Sequence, residues 1–284
     1  MGVFYTRHKI EVVEETVESQ KLPPSFNGYR IVQISDLHVG TWGNDTTFIS
    51  KLVNQINSLT PDVIFFTGDI VNRQTKELKP FLNILSKLTA KDGVYSVLGN
   101  HDYGDYVDWK DPKLRDENNT LLALSMKQMG WRLLNNERVW LRSGNDSILL
   151  AGVENWGDPP FPTYGSLEMA IPSSPDSIVN QNDSNFKILL THNPEHWNRE
   201  VADKTNINLT LSGHTHGMQT MMKIGSKKWS PAKYRYELWG GKFSRCNEKG
   251  DTTHLYVNIG AGEVGMPSRL LGAYPEITVI TLMR

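Results

Sequence analysis

Residues 29–38 read "YRIVQISDLH", an apolar run that ends in a carboxylate and an imidazole. Ile31, Val32 and Ile34 suit a strand buried on both faces, whereas Asp36 and His38 at its end are poor core residues. The same construction returns in "DVIFFTGD" (62–69), which ends at Asp69, and in "GVYSVLGNHD" (93–102), which ends at Asn100, His101 and Asp102. Between these runs lie two stretches with apolar residues at helical spacing, "TFISKLVNQINSL" (47–59) and "ELKPFLNILSKL" (77–88), the second with Pro80 in its first turn. Strands alternating with helices predict an α/β chain of parallel βαβ units. The carboxyl ends of such strands meet at one crevice, where open α/β sheets bind their ligands.

The pattern continues with a helix over about 116–129 and strands at 139–142, 147–153, 186–192, 207–214, 253–260 and 276–282. Two of these strands also end in histidine: His192 in "LTH", and His214 with His216 in "SGHTHG". Residues 1–28 read as a strand and linker ahead of a main domain at 29–284, and leave room for an upstream membrane anchor. Two segments break the rhythm. Residues 155–185 are rich in Pro, Ser, Asn and Asp and read as a long loop with one helical turn, and 223–250 mix Lys, Arg, Trp, Tyr and Gly.

Composition narrows the chemistry. At 284 residues, with 38% hydrophobic and 21% charged side chains, the chain has ample material for a core. Its net charge of −1 gives no strong sign of binding to nucleic acid or to an anionic membrane. One cysteine, Cys246, rules out an intrachain disulfide and any Cys-rich zinc site. No apolar run reaches the roughly 20 residues that span a bilayer.

Each polar residue at a strand end has an ordinary structural explanation on its own. Together they do not, because carboxylates gathered at a buried edge repel one another unless cations compensate them. Mixed nitrogen and oxygen donors suit Mn, Fe, Zn or Ni rather than Ca. His214 and His216 would lie on one side of a continuing strand. From that spacing alone they hold one ion, help to hold two, or merely decorate a strand end.

The ordered set Asp-x-His (36–38), Gly-Asp (68–69), Gly-Asn-His-Asp (99–102), His192 and Gly-His-x-His (213–216) resembles the calcineurin-like metallophosphoesterase superfamily. That resemblance implies a four-layer αββα sandwich of mixed sheets with a dinuclear centre. It places Asp36, His38 and His216 on one divalent transition-metal ion and Asn100, His192 and His214 on the other, with Asp69 bridging. Mn2+ is the first choice, with Fe, Zn and Ni as alternatives. It further implies that a metal-bridging hydroxide attacks phosphorus while His101 acts as general acid and Asp102 orients it.

"YRIVQISDLHVG", "THNPEH", "SGHTHGMQ" and the C-terminal "NIGAGEVGMPSRLLGAYPEITVITL" are similar to a membrane-associated bacterial branch of that superfamily, which includes UDP-2,3-diacylglucosamine hydrolases. The expected substrate is therefore a phosphate-containing small molecule or a lipid-linked nucleotide sugar. The expected location is the bacterial cytoplasm or a membrane surface, with peripheral membrane contact. Candidate substrate contacts are Arg269, Trp229, Lys228 and Tyr234, chosen because arginine fits phosphate and aromatic rings stack on bases and sugars. A nuclease or cyclic-nucleotide phosphodiesterase on the same core is the alternative reaction. A non-catalytic metal-binding scaffold is the alternative of another class.

Overall fold

The computed structural model of the protein describes residues 5–158, 161–172, 186–225, 227–246, 250–266 and 268–284. Residues 159–160 and 173–185 of the 155–185 loop thus lie outside the described residues, and the described part holds one short helical turn, Leu167–Ala170.

Two six-stranded sheets dominate. The first holds β1 (Glu11–Glu18), β2 (Arg30–Ile34), β3 (Val63–Phe66), β4 (Val94–Ser96), β5 (Trp131–Leu133) and β15 (Glu276–Met283), in the order β1-β15-β2-β3-β4-β5. Strands β2 to β5 run parallel, β15 runs antiparallel beside β2, and β1 pairs along its whole length with β15. The second holds β6 (Glu137–Ser143), β7 (Asp146–Gly152), β8 (Lys187–Leu190), β9 (Leu209–Ser212), β12 (Gly241–Cys246) and β13 (Thr252–Val257), in the order β12-β13-β9-β8-β7-β6. Its four central strands are parallel and its two edges antiparallel. A small sheet of β10 (Thr220–Ile224), β11 (Lys227–Trp229) and β14 (Leu270–Leu271) completes the fold.

Side-chain alternation divides each strand between two cores. In β3, Val63 and Phe65 join Ile31 of β2 and Ile188, Leu190, Leu209 and Leu211 of the second sheet in the central core. Ile64 and Phe66 face the other way, into a core shared with α1 (Thr47–Ser58) and α2 (Pro112–Gln128). Helix α1 supplies Phe48, Ile49, Leu52, Val53 and Ile56 at helical spacing, and α2 starts on an Asp111 cap that accepts from Lys113 N at 2.9 Å. The outer face of the second sheet is covered more thinly, by Leu167–Ala170 and the turn Trp197–Val201. The layers are helix, sheet, sheet and a reduced helical layer.

The sequence predicts a helix over 77–88, but the chain forms a 3-10 helix over Thr75–Phe81 and then a single α turn, Leu82–Leu85. Pro80 lacks an N–H and its ring clashes with the carbonyl four residues back, so regular α geometry cannot run through it.

Phe65 is fully buried between the sheets. Phe65→Ala is expected to lower unfolding free energy by about 3–5 kcal/mol in urea melts, through lost transfer energy and the cavity left behind.

Candidate metal centre

The parallel strands of both sheets deliver their carboxyl ends to one place. Gln33 on β2 donates from Nε2 to Ser212 O of β9 at 2.8 Å and to Thr67 Oγ1 at 3.1 Å, tying the sheets together one turn before the polar residues begin. Beyond Ser212, a Cβ on Gly213 would stand 1.9 Å from Ser35 Oγ and 2.3 Å from an Asp36 carboxylate oxygen. Only glycine allows that approach, and it brings the "SGHTHG" loop against Asp36. His214 N then donates to Asp36 Oδ2 at 3.1 Å.

Ten described non-glycine residues have positive φ, and five are Asp36, His38, Asp69, His214 and His216. Left-handed backbone is costly for such residues and marks sites where the surroundings impose it. The chain therefore leaves strand geometry before the histidines. His214 and His216 diverge through φ of 75° and 52°, not through strand alternation.

His216 Nε2 lies 3.1 Å from Asp36 Oδ1 and 3.1 Å from His38 Nε2, and His38 Nε2 lies 3.5 Å from Asp69 Oδ2. Donor atoms of Asp36, His38, Asp69 and His216 all fall within 4.8 Å of one another. On the other side of Asp69, His192 Nε2 is 3.2 Å from Oδ2, and His214 Nδ1 is 3.0 Å from Asn100 Oδ1. Thr215 turns away, its hydroxyl donating to Trp239 O at 2.6 Å.

These residues fit metal ions. His38 Nδ1 donates to Val71 O at 3.1 Å and His192 Nδ1 to Thr67 O at 2.7 Å, which directs both Nε2 atoms inward as donors. His192 Nε2 is buried without a hydrogen bond of good geometry, having only its charge contact to Asp69. Burial lowers His38 to about 3 and His214 to about 4, so both rings are neutral at pH 7 and offer lone pairs. Burial opposes charge on Asp36 and Asp69 as well, yet His216 beside the first and His192 beside the second hold both carboxyls below the ordinary range. Burial also disfavours the His192 cation, but the facing Asp69 carboxylate outweighs it and raises the ring to about 9.

A family profile described as Calcineurin-like phosphoesterase matches residues 29–218. The chain belongs to the calcineurin-like phosphoesterase family. It is 31% identical over 283 residues to the uncharacterized metallophosphoesterase YkuE of Bacillus subtilis, a match covering 97% of this chain and 86% of that one. It is 32% identical to the bovine "transmembrane protein with metallophosphoesterase domain", covering 99% of this chain but 59% of that protein. Among solved structures it resembles the NAD nucleotidase of Haemophilus influenzae, with a TM-score of 0.53 and 15% identity, over 82% of this chain and 45% of that one, a likeness of fold. This phosphoesterase is accordingly a metal-dependent hydrolase of phosphoester bonds. Among its described residues, no helix is long and apolar enough to cross a membrane.

Several expected roles change in the phosphoesterase structure. His101 is held not by Asp102 but by Asn72, whose carbonyl accepts from Nδ1 at 2.6 Å. Asp102 is buried and accepts from the backbone N–H groups of Asp69, Ile70 and Gly99 at 2.8–2.9 Å, and from Val71 at 3.3 Å. It clamps two of the strand-end loops and leaves the His101 ring alone.

Arg269 is fully buried and spends its guanidinium on backbone carbonyls, including Gly262 O at 2.6 Å and Ile259 O at 3.0 Å. A side chain so enclosed and saturated cannot meet a phosphate, so that expectation is corrected. Trp229, Lys228 and Tyr234 are not among the residues lining the cavity over the metal residues; the first two lie on β11 and Tyr234 ends the turn Pro231–Tyr234 that follows it. Trp229 pairs across the β10–β11 hairpin with Met222, and Tyr234 is 79% exposed.

That cavity, about 710 Å³, is lined by Arg235 and Tyr236, neighbours of Tyr234, together with Tyr106 and Phe161. Tyr106 is the residue that sequence reasoning missed. Its ring stacks on His101 at 4.3 Å and its hydroxyl accepts from Asn100 Nδ2 at 2.8 Å, which aims the Asn100 oxygen toward His214. Its position soon after "GNHD" was the only available signal.

With His192 raised to about 9, a divalent ion must displace its proton at pH 7. Calorimetric titration of Mn2+ into metal-free protein, run in buffers of different ionisation enthalpy, is expected to show release of about one proton per chain, with affinity rising toward pH 9. Affinity independent of pH would contradict the assignment.

Proposed function

We propose that the protein is a dinuclear phosphohydrolase in which Asp36, His38 and His216 hold one divalent ion, Asn100, His192 and His214 the other, and Asp69 both. The observation that carries this reading is Asp69 itself, a buried carboxylate whose Oδ2 lies 3.5 Å from His38 Nε2, in one proposed ligand set, and 3.2 Å from His192 Nε2, in the other. Mn2+ is the proposed metal, since the donors mix nitrogen and oxygen. When bound, two such ions supply Lewis-acid activation of water and charge neutralisation of the phosphoryl oxygens.

The protein's own groups do the rest. Asn100 and the histidines would add ligands without cancelling positive charge, so with Asp36 and Asp69 the only anions among the proposed ligands, two divalent ions would leave a net positive charge that attracts a phosphate. His101, pinned through Nδ1, keeps Nε2 for proton transfer to the departing oxygen, a task suited to an imidazole. Asp102 and Tyr106 hold the acid and Asn100 in register through the loops that carry them.

The proposed substrate is a phosphate-containing small molecule or a lipid-linked nucleotide sugar of the UDP-2,3-diacylglucosamine kind. The aromatic Tyr106, Phe161 and Tyr236 and the cationic Arg235 favour a ring and a charge in the cavity. Met218 and Met266, each about half exposed on its wall, favour an apolar arm reaching a membrane surface.

His101→Ala is expected to keep its metal but lose activity about 100-fold or more, as expected for loss of a general acid, on poor leaving groups, and far less on p-nitrophenyl esters. Asp69→Ala is expected to lose metal and activity together, measured by elemental analysis and turnover. Equal loss across leaving groups in His101→Ala would remove the acid role.

A further inference from the structure

The loop after β13 carries a buried carboxylate outside the metal cluster. Glu263 is 1% exposed, and neither of its carboxylate oxygens makes a hydrogen bond of good geometry. Among the described residues its one cation within 4.0 Å is Arg7, from the segment ahead of β1, with Nη2 at 2.9 Å from Oε2. Arg7 is seated for that contact. Its guanidinium lies 4.6 Å from the Trp42 ring centroid, and Thr6 beside it donates its hydroxyl to Arg269 O. The N-terminal segment thus pins the loop at two points.

The carbonyl of Glu263 begins a chain of hydrogen bonds that ends on His101. It accepts from Thr41 Oγ1 at 2.7 Å. Thr41 is joined twice to Asn72: its N donates to Asn72 Oδ1 at 3.0 Å, and its Oγ1 accepts from Asn72 Nδ2 at 2.9 Å. The Asn72 carbonyl in turn accepts from His101 Nδ1 at 2.6 Å.

We propose that Arg7 is a positioning residue for phosphoester hydrolysis, acting through Glu263, Thr41 and Asn72 to hold the His101 ring in line for proton transfer. The proposal rests on the acid role given to His101 and adds the device that sets it. Removing one partner of a buried ion pair leaves an uncompensated charge, which is strongly destabilising. Without Arg7 the Glu263 carboxylate must reach water. That movement draws the Glu263 carbonyl from Thr41, and Asn72 loses its brace. The neighbouring Gly262 is gripped separately, its carbonyl accepting from Arg269 Nη2 at 2.6 Å, so the disturbance runs toward Thr41 and not toward Asp36. A general acid is sensitive to such a shift, since it must stay within hydrogen-bond reach of the departing oxygen.

The test loads the whole chain with diamagnetic Zn2+ and reads the imidazole N–H protons by NMR. His38, His192 and His101 each donate Nδ1–H to a backbone carbonyl, and the His101 resonance is the one missing from His101→Ala. In Arg7→Met, which keeps an apolar stem on Trp42 and removes the charge, the His101 resonance is expected to vanish while those of His38 and His192 persist. Thr41→Val, which keeps the ion pair and cuts the chain of hydrogen bonds, is expected to do the same, and it keeps the chain testable if Arg7→Met does not fold. With Mn2+, kcat on phenyl phosphate relative to p-nitrophenyl phosphate is expected to fall about tenfold in both variants at unaltered metal content, a part of the roughly 100-fold that a general acid contributes. Arg7→Lys, and Glu263→Gln added to Arg7→Met, are expected to recover both signals, because neither leaves a buried charge unpaired. An intact His101 resonance with an unchanged ratio in either variant would overturn the proposal. Equal loss on both substrates, with all three resonances weakened, would make Arg7 a brace of the fold alone and overturn it too. If His101→Ala shows no dependence on the leaving group, the acid role fails, while the resonances still report whether Arg7 holds the ring.

Discussion

Asp69 is a carboxylate without exposure to speak of, set between two histidines, with a second buried carboxylate, Asp36, on one side and a third, Asp102, behind it. Among the described residues no lysine or arginine lies within ion-pair distance of any of the three. Burying a charge without a partner costs several kcal/mol per ion even after relaxation. Asp102 meets that cost with four backbone N–H groups, although burial and the nearby Asp69 charge still push its carboxyl up to about 7. Asp36 and Asp69 accept from the backbone N–H groups of His214 and His101 and otherwise face imidazoles, whose inward nitrogens face one another as well as the carboxylates. Such a cluster is stable only around positive charge, and the surrounding architecture holds it in place.

That holding is distributed. Gln33 fixes the two sheets across the central core, and Gly213 lets the histidine loop close against Asp36. Asp102 gathers the loops after β3 and β4. Arg269, caged by carbonyls, braces the segment after β13, and Ser230 Oγ donates to Gly217 O at 2.6 Å from the loop behind. The positive φ values at five of the seven proposed ligands show how far the backbone is bent to serve side-chain position. Stability comes from the two large cores, while the crevice between the strand ends bears the strain.

Much of this was legible because buried parallel strands are written as unbroken apolar runs, so a polar residue at the end of "RIVQI" or "VIFF" stands out. The same contrast exposed His192 after "KILL" and the pair after "LTLS". Partnership was harder to read. A carboxylate after His101 is adjacent to it in the chain, yet Asp102 turns to the backbone because four amide donors surround it and the Asn72 carbonyl reaches His101 first. Arg269 looked like a phosphate ligand because the chemistry of arginine is the same whether it meets phosphate or carbonyls, and only the loop geometry distinguishes them. The aromatic segment revealed that a wall exists but not which side faces the cavity, since the hairpin β10–β11 leaves no strong apolar period.

The most direct test is diffraction from crystals soaked in Mn2+, with the anomalous signal used to locate the metal. Two peaks on either side of the Asp69 carboxylate are predicted, one reached by Asp36, His38 and His216 and the other by Asn100, His192 and His214. A single peak, or peaks that leave Asp69 outside the coordination of either ion, would contradict the arrangement.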